Sequence, residues 1–332
     1  MTLVNKTSNL LSIDIHAHMI STKKNHGSIL KKGLLQNRFL QRIVDARNSC
    51  SGINNWIEKN FDEWYINNLV RKVKESKYID KVVLLAFDGV YNYEGRFDTD
   101  RTFFYVPNEI VLNAADSHPE LLPGVSINPY RSDAIEELER CVQRGAVLVK
   151  WVPNSEDIDP ADKRIVPFYK KMVDLDLPLL THTGYEHTLV VYNQSLGDPR
   201  RLCLALDCGV TVIAAHAGCY DMNDPINYFP VFIEMTNKYK NLYGDLAVFG
   251  WPSRKKILLD IISDKAYLFD RMLHGTDYPV PVMPIMMGNE SGWLRMLRFH
   301  FKHNYFDAEA LMKLYLGVPK TVFTRASSLL RL

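Results

Sequence analysis

The feature that most constrains the fold is a repeat in which short apolar runs alternate with helix-like segments, at a spacing of roughly 30 residues. Eight runs fit the pattern, at 12–19, 81–88, 121–129, 146–151, 177–182, 210–216, 242–249 and 271–277. Strands buried on both faces are continuous apolar runs, and their alternation with helices indicates a parallel sheet. Eight units favour a closed (β/α)8 TIM barrel, in the α/β class, over an open doubly wound sheet. No strand is followed by G-x-G-x-x-G, so the sequence gives no support to dinucleotide binding.

Composition narrows the class of protein further. The chain has 332 residues, of which 47% are hydrophobic and 23% charged, and we expect residues 1–332 to form a single barrel domain. A net charge of +2 is too close to neutrality to predict binding to nucleic acid or to an anionic membrane. The sequence shows neither an apolar span of ~18 residues nor a signal peptide, and its five cysteines form no C-x-x-C motif. These features predict a cytoplasmic protein with reduced thiols.

One long stretch interrupts the repeat directly after the first strand. Residues 20–78 are rich in lysine, asparagine and aromatic side chains, and within them 66–77 has a helical pattern. The stretch is longer than a connection between neighbouring elements needs. We therefore predict an insertion over the barrel mouth, acting as a lid; a packing or dimerisation element is the alternative.

The first strand carries an alternating polar pattern. Asp14, His16 and His18 alternate with apolar or small residues, and the twofold period of a strand predicts that all three share one face. Two imidazoles at positions i and i+2 can converge on one cation. Asp14 can orient one of these imidazoles or serve as a polar residue of the barrel core. A solvated surface strand is the simpler interpretation, but the apolar neighbours Ile13 and Ile15 favour a buried one.

Further polar residues lie at the other strand ends. In (β/α)8 barrels the active site is at the carboxyl ends of the strands. The polar side chains there are His16, His18, Asp88, Asn128, Lys150, His182, His216 and Asp277. Three neutral imidazoles and one carboxylate form a ligand set for zinc or another divalent transition metal. The residues that can supply this set, leaving one position for water, are His16, His18, His182 and Asp277.

A metal in that position would activate its water. Coordination lowers the pKa of the water from about 15.7 to about 7, so hydroxide forms at neutral pH. His216 is then free to act as a general base or to polarise a substrate carbonyl.

Lys150 decides the expected number of metal ions. The strand pleat places it on the inward face with Leu148. Carboxylated by CO₂, it would bridge two cations, and His216 would join the second. As a plain ammonium group it would bind a substrate anion or a ligand carboxylate instead. We expect one zinc ion, with two as the alternative.

Aromatic residues that follow the strand ends predict a ring around the pocket, which suits a cyclic or planar organic substrate. They also simply fill barrel mouths, and that alternative stays open. The aromatic residues assigned to substrate binding are Trp151, Tyr185, Tyr220, Trp251 and Tyr278. Arg254 can bind a substrate carboxylate.

Four motifs together resemble the amidohydrolase superfamily. They are HAH on the first strand, THTG on the fifth, AHAG on the sixth and HGTDYP on the eighth. The match is closest to the amidohydrolase-related branch that includes aminocarboxymuconate-semialdehyde decarboxylase, and it covers roughly residues 10–285. The resemblance implies that His216 is catalytic and that a metal is held by His16, His18, His182 and Asp277. The long insertion and the 321–326 segment depart from the branch, so its substrates do not transfer to this chain.

Three functions follow as hypotheses. The first is a metal-dependent hydrolase of an amide, lactone or ester-like bond in a small organic molecule. In it an activated water attacks, and Asp277 takes the proton and returns it to the leaving group. The second is a non-oxidative decarboxylase of an aromatic or unsaturated acid, built on the same site. The third is a catalytically silent barrel that binds a ligand. A homodimer is a further expectation, based only on the habits of such barrels.

Overall fold

Eight parallel strands form the central sheet of the protein. The computed structural model describes residues 10–21, 27–31, 61–220, 224–288 and 292–332. The strands, numbered β1 to β8, neighbour one another in chain order. They are Ile13–His18, Lys81–Leu85, Leu121–Val125, Leu148–Trp151, Leu179–His182, Val212–Ala215, Leu242–Asp245 and Met272–Leu273.

The sheet closes on itself between β8 and β1. The Ile15 amide donates to the His274 carbonyl (3.1 Å) and the His18 amide to that of Tyr278 (2.7 Å), while Ala17 pairs with Tyr278 in a parallel bridge. This closure confirms the predicted (β/α)8 barrel, and it brings the chain's first strand beside its last barrel strand.

Helices surround the barrel in the described residues. In chain order, α1 to α12 are Phe61–Glu75, Asn108–Ser117, Ala134–Gln143, Pro153–Glu156, Val166–Asp174, Cys203–Asp207, Phe229–Lys238, Lys255–Asp264, Trp293–His300, Tyr305–Leu316, Thr321–Thr324 and Ala326–Leu329. None of the helices in these ranges is long and apolar enough to cross a lipid bilayer.

All eight predicted strands are present, but several end earlier than predicted. Strand β7 stops at Asp245 rather than at residue 249, and β8 covers only two of the seven predicted residues. Val248 and Asp277 adopt left-handed backbone conformations (φ 54° and 65°). An L-residue with positive φ cannot continue a strand, so these residues belong to the loops at the barrel mouth.

Side chains of alternating strand residues fill the barrel interior. An inner cluster contains Ile13 and Ile15 of β1, Leu148 of β4 and Leu180 of β5, all fully buried. Lys150 and His182, two residues further along β4 and β5, therefore point inward. This result agrees with the parity predicted for Lys150.

Only part of the 20–78 insertion falls in the described residues. The predicted helix at 66–77 is observed as α1, and a short antiparallel ribbon pairs Ile29–Leu30 with Phe104–Tyr105. The buried Tyr65 hydroxyl of α1 donates to the His18 carbonyl (2.6 Å). Residues 22–26 and 32–60 lie outside the described part, so the lid remains a prediction.

Candidate metal centre

Three side chains converge at the mouth of the barrel and form what we call the metal centre: His16, His18 and Asp277. His16 Nε2 lies 3.2 Å from His18 Nε2. Asp277 Oδ1 lies 3.2 Å from each of these two nitrogen atoms. Two residues of β1 and one residue after β8 therefore each place an atom that carries a lone pair at the same point.

The donor set and its spacing fit a divalent cation. Nitrogen and carboxylate ligands lie about 2.0–2.2 Å from zinc in a tetrahedral site, which separates neighbouring donor atoms by about 3.3–3.6 Å. The three observed separations of 3.2 Å are close to that value. Imidazole nitrogen and carboxylate oxygen are also the donors that such metals prefer.

The backbone places the Asp277 carboxylate. Its residue has a φ of 65°, and its amide donates to the His16 carbonyl (2.7 Å). Burial alone raises the pKa of Asp277, but the neighbouring His16, His216 and His18 side chains hold this pKa well below its ordinary value. The group is therefore an anion at neutral pH, as a metal ligand must be.

His182, the fourth predicted ligand, lies beside the centre rather than within the three-residue group. Its ring centroid is 5.0 Å from that of His216. Burial lowers its pKa to about 4, so the ring is neutral. Its buried Nε2 meets no hydrogen-bond partner among the described residues. A buried polar atom without a partner costs free energy, and a bound cation would recover that cost.

Asp245, at the end of β7, orients His16 and was missed by sequence reasoning. Its Oδ2 lies 2.7 Å from His16 Nδ1, and its Oδ1 accepts from the amides of His216 (2.8 Å) and Ala247 (3.1 Å). Burial raises its pKa, but the adjacent imidazoles outweigh that effect and hold the pKa well below the ordinary value. An anion at Nδ1 fixes the proton there and turns the Nε2 lone pair toward the metal centre.

Asp14 does not share a face with the two histidines, so that expectation was wrong. A bulge interrupts the β1–β2 register between Asp14 and Ala17, and a bulge shifts the side-chain alternation by one residue. Asp14 accepts instead from the Thr276 hydroxyl (2.6 Å) and amide (3.1 Å) and from the backbone amide of His16 (3.0 Å). Burial raises its pKa to about 6. Its role is to join β1 to the segment after β8.

Lys150 reaches the same imidazole as Asp245 from the opposite side. Its Nζ lies 3.1 Å from His16 Nε2, and its side chain is fully buried. Burial lowers the pKa of this amine. The Nε2 atom has one lone pair, which cannot serve the Lys150 hydrogen bond and a metal at once. The arrangement therefore sets the lysine and the cation in competition for one atom.

His216 packs between His16 and His182. Its ring centroid is 5.3 Å from that of His16, and its Nδ1 lies 3.3 Å from the Ala247 carbonyl. Burial holds its pKa well below the ordinary value, so the ring is neutral at pH 7. With Nδ1–H directed at a carbonyl, Nε2 carries the free lone pair.

Two aromatic residues assigned to substrate binding lie elsewhere. Trp151 is fully buried, its Nε1 donates to the Ile127 carbonyl (2.7 Å), and its ring stacks on Phe168 of α5. It follows Lys150 and so faces the helices. Tyr278 is packed in the core between rings of α1 and α10. Both placements argue against contact with substrate.

The remaining predicted contacts stay available to a ligand. Tyr185, Tyr220 and Trp251 are partly buried in the loops after β5, β6 and β7. Arg254 is buried, and its charge contributes to lowering the pKa of both His182 and His216. The positive charge of the Arg254 side chain therefore lies near His182 and His216, beside the metal centre.

A second buried polar cluster occupies the ends of β2, β3 and β4. We call it the β2–β4 network, and it consists of Asp88, Ser126, Asn128 and Glu156. Asp88 accepts from the Asn128 and Gly89 amides (2.7 and 2.8 Å). Glu156 accepts from the Ser126 hydroxyl (2.9 Å) and the Asp88 amide (3.2 Å). The strand-end residues Asp88 and Asn128 thus hold the loops together.

Comparison with solved structures agrees with the barrel. The chain is similar to an uncharacterised TIM-barrel protein from Bordetella bronchiseptica (18% identity, TM-score 0.56, covering 95% of this chain and 99% of that one). It is similar to a probable 2-pyrone-4,6-dicarboxylic acid hydrolase from Acinetobacter baumannii with citric acid bound (16%, 0.52, 96% and 95%). It is also similar to a dihydroxybenzoic acid decarboxylase from Polaromonas sp. with bound manganese and the inhibitor 2-nitroresorcinol (14%, 0.51, 92% and 98%). At these identities the likeness is one of fold.

Comparison by sequence identifies the family. No curated protein matches the chain. A family model described as amidohydrolase matches residues 13–316, which include every strand of the barrel. This match confirms the resemblance drawn from the four motifs: the chain belongs to the amidohydrolase family.

Proposed function

We propose that this protein is a metal-dependent hydrolase that cleaves an amide, lactone or ester-like bond in a small, anionic organic substrate. The observation that carries the proposal is the convergence of His16, His18 and Asp277 within 3.2 Å of one another. His182 Nε2, buried and without a partner among the described residues, is the further ligand. One zinc ion is the proposed cofactor. When bound, it supplies a Lewis acid that activates water and polarises a substrate oxygen.

The proton is handled by two residues of the chain. His216 Nε2, held in place through Nδ1 and the Ala247 carbonyl, accepts a hydrogen bond from the attacking water and directs it. Asp277 Oδ2, the oxygen not engaged with His16 and His18, takes the proton as the water O–H bond breaks. The same carboxyl then returns that proton to the leaving group.

The negative charge of the proposed substrate is inferred from Arg254. A buried guanidinium near His182 and His216 is suited to bidentate binding of a carboxylate. Tyr185 and Trp251 lie in the neighbouring loops and supply apolar surface for a planar body. The substrate is therefore a planar or cyclic carboxylic acid with a hydrolysable bond.

The same site supports a second candidate, decarboxylation of an unsaturated or aromatic acid. The observation that favours it is again the fixed charge of Arg254, because a substrate carboxylate beside the metal centre can itself be the group that leaves. The likeness to a decarboxylase of known structure is consistent with this candidate.

One experiment separates these functions. Purified protein would be stripped of metal, reloaded with one equivalent of Zn²⁺, and supplied with cyclic lactone carboxylates, N-acyl compounds and hydroxybenzoates. Hydrolysis releases acid without CO₂, whereas decarboxylation releases CO₂ in equal amount to substrate lost. We expect metal-dependent acid release that Arg254→Met weakens mainly through KM. Stoichiometric CO₂ would support the second candidate, and binding without turnover of any compound would support a silent barrel.

A further inference from the structure

A buried ion pair on α10 is not used by the proposed reaction. Lys313 and Glu309 are 0% and 2% exposed as side chains, and Lys313 Nζ lies 2.6 Å from Glu309 Oε1. A buried ion pair is a weak source of stability, because the loss of hydration offsets most of the attraction. Its place in the fold indicates a different contribution.

The lysine reaches the segment that carries the Asp277 ligand. Lys313 Nζ donates to the Gly275 carbonyl (2.8 Å), two residues before Asp277. Thr276, the residue between them, is held by Asp14 through both its amide and its hydroxyl. Consecutive residues before the ligand are thus fixed from two sides, by β1 and by α10.

The ligand needs such support because its backbone is strained. Asp277 is a non-glycine residue with φ of 65°, a conformation that persists only where the surrounding structure holds it. In that conformation Oδ1 lies 3.2 Å from both imidazole nitrogen atoms. Relaxation of the 275–277 segment would move the carboxylate away from one or both of them.

We propose that Lys313, itself held by Glu309, is a positioning residue for the metal centre: it fixes the Gly275 carbonyl and thereby keeps Asp277 in reach of His16 and His18. This inference rests on the proposed function, since it takes Asp277 to be a metal ligand. It also assigns a role to α10, which contributes no group to the proposed reaction.

The test removes the ion pair and measures metal binding rather than turnover. The principal variant is Lys313→Met with Glu309→Gln, which removes both charges while keeping side-chain length. The matched control is Met312→Ala, a fully buried side chain of the same helix that packs at Gly250. Both proteins and the wild type are titrated with Co²⁺, and the visible absorption spectrum and the thermal midpoint are recorded.

We expect the double variant to bind Co²⁺ about 10–100-fold more weakly, as is typical when a partner behind the ligands is removed, and to change the ligand-field spectrum. Met312→Ala should lower the thermal midpoint yet keep wild-type affinity and spectrum. Lys313→Arg, which keeps the charge, should retain most of the affinity. If the double variant does not fold, Lys313→Gln, whose side chain is too short to reach the Gly275 carbonyl, should weaken Co²⁺ binding, and wild-type affinity in that variant would overturn the positioning role.

The outcomes distinguish the two proposals. Wild-type affinity and spectrum in the double variant would overturn the positioning role and leave the metal site intact. Equal losses in Met312→Ala would also overturn it, because the effect would then be one of general stability. A wild type that binds no Co²⁺ would overturn the proposed function, and the positioning role with it.

Discussion

The metal centre and the β2–β4 network are two polar clusters at the same end of one barrel, and they are built differently. In the β2–β4 network, carboxyl oxygens of Asp88 and Glu156 meet N–H or O–H donors of neighbouring loops. In the metal centre, lone-pair atoms of His16, His18 and Asp277 meet one another. The β2–β4 network is fully buried, whereas the side chains of His18 and Asp277 are 21% and 15% exposed at the barrel mouth.

The two clusters also differ in whether the chain itself supplies hydrogen-bond donors to their acceptor atoms. A cluster whose acceptors are matched by donors of the same chain needs nothing further, and its polarity holds loops in place. A cluster of converging acceptors, one of which meets the Lys150 amine, flanked by a His182 Nε2 that has no partner among the described residues, is suited to binding a cation. The following predictions test this distinction, beginning with the largest effect.

Replacing His16 and His18 together by alanine should abolish binding of a divalent metal. The change removes two of the three converging donors, and Asp277 with the neighbouring His182 offers too few ligands to hold zinc. Elemental analysis of purified protein measures the loss, and circular dichroism should remain nearly unchanged. Asp88→Asn in the β2–β4 network is the control and should keep full metal content. Full occupancy in the double variant would show that the site has been assigned to the wrong residues.

His216→Asn should reduce turnover by ~10²–10⁴-fold, the usual contribution of a positioned acid–base group. Metal content should stay at the wild-type level, because His216 lies beside the three-residue group and not within it. Steady-state kinetics and elemental analysis on the same sample make the comparison. A variant with its full rate would remove His216 from the mechanism, and loss of half the metal would favour two ions.

Lys150→Met should leave one equivalent of metal and tighten its binding by about tenfold. The reason is that the Lys150 hydrogen bond to His16 Nε2 (3.1 Å) is lost, and a hydrogen bond from a charged group contributes about 1.5–3 kcal/mol. Competition with a metallochromic chelator measures the affinity. A carboxylated lysine predicts the reverse: loss of metal in Lys150→Ala, restored by bicarbonate or a short-chain acid.

Glu156→Gln should change the pH dependence of stability and leave metal binding alone. Burial raises the pKa of Glu156 from 4.5 to about 8. Between these values the unfolded chain releases a proton that the folded protein retains, so the free energy of unfolding falls as pH rises. The fall is at most about 1.4 kcal/mol per pH unit. Urea denaturation from pH 5 to 8 should show a shallower slope for the variant, and identical slopes would contradict the assignment.

The sequence predicts the barrel and most of the site because both depend on short-range periodicity. Eight apolar runs are enough to indicate eight strands, and a twofold period places Lys150 inward from Leu148 alone. The same period fails at Asp14, because a bulge in β1 shifts the alternation and no residue type marks it.

Other contacts depend on long-range geometry. Asp245 was missed because β7 ends four residues earlier than its apolar run, and the sequence pattern therefore placed the carboxylate inside a strand. A search for polar residues within every predicted strand, and not only at its end, would have found it. Lys313 has no local signal at all: its contact with the Gly275 carbonyl is set by the packing of α10 behind the barrel.

The closure of the barrel between β1 and β8 also fixes when the site can exist during synthesis. Asp14 and Thr276, which join the two halves of the metal centre, are 262 residues apart in the chain. At ~5–20 residues per second, a ribosome needs roughly 13–52 s to travel that distance. During this time the nascent chain presents a histidine pair without its carboxylate. A cation bound at this site would therefore be acquired late, after nearly the whole barrel has left the ribosome.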